Sequence, residues 1–107
     1  MAKQTFKLKG KVWIYPGMAL LQDSGQAGWH FFTVPKKETA QIQKDFKHLQ
    51  KGWGSIPVNV TIGTTTWRTS IFPDKKSGVF LLPLKKDVRK KEGIFEEDMI
   101  TVLCTIA

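Results

Sequence analysis

The chain has 107 residues, 41% of them apolar, with four Trp, one Tyr and seven Phe, which is enough for one hydrophobic core without covalent staples. A single cysteine, Cys104, excludes an internal disulfide framework, and with only His30 and His48 beside it the usual zinc ligand sets cannot be assembled. The 17 basic residues against 9 acidic ones give a net charge of +8, which favours polyanionic partners and plain solubility alike, so the decision rests on clustering.

The first strand is expected in TFKLKGKVWIY, residues 5–15. Phe6, Leu8, Gly10, Val12 and Ile14 share one face, and Lys7, Lys9, Lys11, Trp13 and Tyr15 share the other, a period of two. There is no continuous apolar stretch of the kind a secretory signal needs, and runs such as VFLLPL are too short to cross a bilayer, so a cytoplasmic protein without a membrane partner is expected. Pro16-Gly17 breaks the strand, and MALLQDSGQAG contains a loop at Asp23-Ser24-Gly25.

WHFFTV predicts a second strand, and Pro35 suits the first turn of a helix. In KKETAQIQKDFKHL the apolar residues Ile42, Phe46 and Leu49 form one narrow stripe at helical spacing. IPVNVTI predicts a third strand, TTTWRTSIF a fourth, PDKKSG a turn, and VFLLP a short fifth strand apolar on both faces. LKKDVRKKEG predicts a short helix with Leu84 and Val88 inward and Gly93 in the left-handed position that ends it. MITVLCTI closes the pattern, with Ile100, Val102, Cys104 and Ile106 on one face.

The order strand, strand, helix, strand therefore occurs twice, with Pro35 and Pro83 as the apparent landmarks, 48 positions apart (83 − 35). One domain over residues 1–107 is expected, with pseudo-repeat halves at about 5–63 and 64–107. The fold class is mainly β: a closed or double-split six-stranded β-barrel of two β-β-α-β units, capped by two helices, because closure removes exposed edges.

KGWGSIPVNVTIG, TWRTSIFPDKKSGVFLLPLKKDVRKKEGI and the acidic turn after them resemble an uncharacterised prokaryotic family of small double-split β-barrels, a domain of unknown function. Its members occur alone or beside a YdeI-like, OmpD-associated domain. The resemblance thus implies a bacterial barrel and a protein partner with such a domain, and it implies no reaction. LPLKKDVRKKEGIFEEDMITV is also similar to the swapped-hairpin regulators of the AbrB and SpoVT type, which dimerise into a barrel and bind DNA with basic residues. Here the chain carries both halves itself. It departs from their pattern at Glu97, where they usually have Gly.

Only two of the basic residues are arginine, Arg68 and Arg89. Arginine presents a planar fork to two acceptors, where lysine is a hydrated point charge. Arg68 shares a strand face with Thr66 and Ser70, and Arg89 follows Lys85 and Lys86 on the second helix. If that helix docks over the strand face, Arg68, Ser70, Lys85, Lys86 and Arg89 form an anion or nucleic-acid site. The competing expectation is a salt bridge from Arg68 to Asp87 or to the FEED turn. Trp53 and Trp67 are the candidate aromatic contacts, each also suited to closing the core, and Trp13 with Tyr15 could stack bases or pack on a neighbouring strand.

No motif names a reaction, a metal or a cofactor. The leading expectation is a non-enzymatic binding module for an anionic partner, either nucleic acid or a phosphorylated or acidic ligand, acting as a monomer or weak homodimer. The alternatives are a small-molecule or enzymatic site at the barrel mouth and a protein-interaction domain.

Overall fold

The computed structural model describes residues 4–14, 30–50 and 54–107. Tyr15, the Pro16-Gly17 break, the Asp23 loop, Trp29 and Trp53 lie outside them. The elements are β1 (Thr5–Ile14), β2 (His30–Thr33), α1 (Lys36–Phe46) continued by a 3-10 turn (Lys47–Leu49), β3 (Ile56–Ile62), β4 (Thr65–Pro73), β5 (Phe80–Pro83), α2 (Lys86–Glu92) and β6 (Met99–Ile106). Pro35 stands just ahead of α1 rather than within its first turn.

The six strands close into one barrel in the order β1-β2-β5-β4-β3-β6, every neighbour antiparallel. The alternation seen in the sequence is the reason it closes with a filled interior. Leu8 and Val12 of β1, Val58 and Val60 of β3, and Val102 and Cys104 of β6 are all buried, while Lys7, Lys9 and Lys11 project outward from β1. The predicted stripe of α1 packs on this core: Ile42 is fully buried, Phe46 and Leu49 are half-buried, and Phe46 meets Phe6 edge to face with ring centroids 6.5 Å apart.

Gly10 has a packing reason. A side chain there would start 3.2 Å from the Phe32 ring, so the missing Cβ makes room for one of the two fully buried phenylalanines among the described residues of the barrel. Cys104 is buried, as its strand face requires, and burial pushes its thiol up to about 12, so it stays protonated at neutral pH.

Advancing each strand by three, β1 to β4, β2 to β5 and β3 to β6, maps the ring onto itself. Hydrogen bonds fix the residue-level correspondence where strand meets helix. Val34 N–H donates to Phe80 O and Leu84 N–H to His30 O, both at 2.9 Å, so the offset here is 50 residues (34 to 84, 30 to 80). Thr39 N–H donates to Pro35 O and Arg89 N–H to Lys85 O at the same offset. The prolines, 48 apart, are therefore not equivalent: Pro35 corresponds to Lys85, and Pro83 to Thr33.

Between α2 and β6 the chain turns through Phe95–Asp98. Asp98 Oδ2 accepts from Phe95 N–H at 2.8 Å, and Glu97 N–H donates to Val12 O at 2.8 Å. Glu97 takes φ +76, in the left-handed region, which costs a residue with a Cβ roughly 1–2 kcal/mol. Replacing Glu97 by glycine is therefore expected to raise stability by about 1 kcal/mol, a gain of about 5 °C in Tm. A Tm equal to or below that of the wild type would show that the turn is not strained.

Candidate functional site

The left-handed turn at Gly93 (φ +64) ends α2 as the sequence predicts, and the Ile94 N–H donates to Arg89 O at 2.9 Å. This turn carries Ile94 into the core and leaves the following Phe95 71% exposed. At the other face of the helix, Glu92 accepts from Thr65 Oγ1 at 2.5 Å, lying over the β3–β4 turn where Gly63 (φ +60) leaves no Cβ to obstruct it. One end of α2 is thereby tied to the barrel through a contact that no sequence motif announces.

Arg89 is half-buried and held at two points. Its Nε donates to Leu84 O at 3.2 Å, and its Nη1 lies 3.3 Å from His30 Nε2. A guanidinium can only donate, so His30 Nε2 is the acceptor in this contact. Partial burial pulls the Arg89 guanidinium below its ordinary value, but an arginine so placed keeps its charge at neutral pH.

The equivalent position in the first half is Thr39. Its hydroxyl donates to Val34 O at 3.2 Å, as Arg89 Nε does to Leu84 O, and accepts from Phe80 N–H at 3.2 Å. Phe80 is in turn the counterpart of His30. The two halves thus make the same strand-to-helix clasp with different chemistry. In one it is a buried hydroxyl against a phenylalanine backbone, in the other a guanidinium against an imidazole.

The arginine version borders a cavity of about 730 Å³. Among the described residues of its wall, Lys86, Arg89 and Lys90 bring three cations against the one carboxylate of Glu96. His30 sits beside Arg89, and Ile14, Ile94 and Phe95 supply the apolar part. Such a volume lies within the range of small-molecule pockets.

Of the residues singled out from sequence, Lys86 and Arg89 meet in this wall. Lys85 is exposed immediately before α2. Arg68 is exposed and Ser70 half-buried on β4, on the alternate positions that face away from the core, and neither is among the residues that line the cavity. Among the described residues Arg68 forms no salt bridge, so the expected pairing with Asp87 or the FEED turn is not formed either. Trp67 packs half-buried against the core, with its indole N–H buried and without a hydrogen-bond acceptor among the described residues. Trp53 lies outside the described residues. Trp13 stacks on Phe31 at 5.2 Å and donates to Thr33 Oγ1 at 2.8 Å, the packing role of the two weighed for it. His30 and Phe95 were missed as site members. His30 stands alone in its strand, and nothing in a linear reading places it beside a residue 59 positions away.

Compared with known proteins, residues 17–103 match the profile of a family described as Domain of unknown function (DUF1905). No curated protein matches the chain.

Proposed function

We propose that this chain, which belongs to the DUF1905 family, is a binding module for a small anionic ligand held in the cavity beside α2. The observation that carries the reading is the set of three cations on one wall, with Arg89 oriented by Leu84 O and His30 before any ligand arrives. A guanidinium fixed in this way loses little freedom on binding, and its fork matches carboxylate and phosphate oxygens. The test is a thermal-shift and calorimetric screen of inorganic phosphate, acetate and larger organic acids on the full chain. Arg89→Met retains the stem and removes the fork. It is expected to weaken anion binding at least tenfold while the barrel stays folded. Binding that is indifferent to Arg89, or absent for every anion at low salt, overturns the proposal.

A second reading draws on another surface. Lys7, Lys9 and Lys11 stand exposed in a row on β1, opposite Leu103, Thr101 and Met99 of β6. This face supports binding of a nucleic-acid backbone, which would weaken steeply with salt. Fluorescence anisotropy with single-stranded and duplex DNA at two salt concentrations separates it from the cavity reading, because Arg89→Met would leave it unchanged.

A further inference from the structure

Resting on the anion reading of the α2 cavity, we infer that its ligand is an aromatic ring bearing an acidic group, the ring lying against Phe95 and the acid taken by Arg89 and the lysines. Three observations lead there. The first is size: a bare phosphate or acetate would leave most of about 730 Å³ unfilled, whereas the cavity suits a molecule of many heavy atoms. The second is the division of the wall. Lys86, Arg89 and Lys90 all come from one helix, while Ile14, Ile94 and Phe95 come from β1 and the turn after α2, so a ligand meets charge on one side and carbon on the other.

The third is Phe95 itself. Phe95 is 71% exposed and lines the cavity, so most of its ring is open to contact with a bound molecule. Its backbone is locked: the Phe95 N–H donates to Asp98 Oδ2 at 2.8 Å, and Phe95 O accepts from Asp98 N–H at 3.1 Å. Its exposure and its place in the lining show the ring at the cavity rather than in the core beside Ile94. A presented aromatic face prefers another ring, by offset or edge contact, over a flexible chain. Arg89 has three N–H groups left after its bonds to Leu84 and His30, enough for a carboxylate or a phosphate monoester. Among the described residues of the lining Glu96 is the one acid, and it disfavours a second acidic group on the ligand.

The experiment is an isothermal titration series on the full chain with five probes: indole-3-acetate, phenyl phosphate, octanoate, acetate and inorganic phosphate. An aromatic acid is expected to bind about tenfold tighter than acetate or phosphate, carboxylate and phosphate arms being told apart by whichever of the first two is stronger. Phe95→Ala, at an exposed position, is expected to remove that advantage. Arg89→Met is expected to weaken all the anions. Octanoate binding as tightly as the aromatic acids, or an aromatic advantage that survives Phe95→Ala, overturns the inference. Aromatic and simple anions of equal affinity, both lost in Arg89→Met, overturn it while leaving the anion site standing. The absence of binding by all five probes removes both.

Discussion

Replacing Phe32 by alanine is expected to destabilise the barrel by about 3–5 kcal/mol, the largest single effect anticipated for this protein. Phe32 is fully buried, lies in β2 between Val12 of β1 and Leu82 of β5, and occupies the space that Gly10 vacates. Truncation removes the transfer energy of the ring and leaves a hole, because Gly10 has no side chain with which to refill it. The cost would appear as a fall in the urea midpoint with an unchanged slope, the sign of lost stability rather than a changed unfolded state. A cost under about 1 kcal/mol would mean that the interior collapses around the gap and is not packed as described.

Thr39→Val is expected to cost about 2 kcal/mol, or about 10 °C in Tm, although valine has nearly the same shape. The Thr39 hydroxyl is the acceptor for Phe80 N–H and a donor to Val34 O, in a residue only 2% exposed. Valine leaves that N–H buried and unpaired, and the penalty is the desolvation of an orphaned donor. Thr39→Ser keeps the hydroxyl, and it should recover most of the loss apart from one methyl group. If valine and serine proved equally tolerated, the hydroxyl would have no part in holding α1 to β5.

Much of the barrel could be read from the chain because its determinants are local. The period of two in β1, β3 and β6 decides which face is buried, and the Ile42, Phe46, Leu49 stripe decides how α1 sits. Gly93 ends α2 for a reason contained in one residue: only glycine takes φ +64 without penalty. The correspondence between the halves was less legible. The prolines are conspicuous, yet proline marks a backbone that can do without an N–H, and that condition is met at different positions in the two units.

The candidate site was legible only in part. Arg89 stood out by its rarity, and Lys86 followed from its place in the same helix. Arg68 stood out equally but projects outward from β4, since a strand's alternation says which residues share a face and not what lies opposite that face. His30 meets Arg89 through the pairing of β2 with β5, a contact set by barrel closure. Glu92 reaches Thr65 through the same long-range geometry, 27 positions apart. Such contacts depend on how distant strands are ordered around the ring, and no window along the chain contains that order.

The paired clasps at Thr39 and Arg89 show a freedom that a single chain has and two identical chains lack. A barrel assembled from identical subunits must repeat every residue at both of its poles, so any cation introduced for recognition is introduced twice, and so is its loss of packing. A single chain lifts that constraint: one half carries a buried hydroxyl where the other carries a guanidinium.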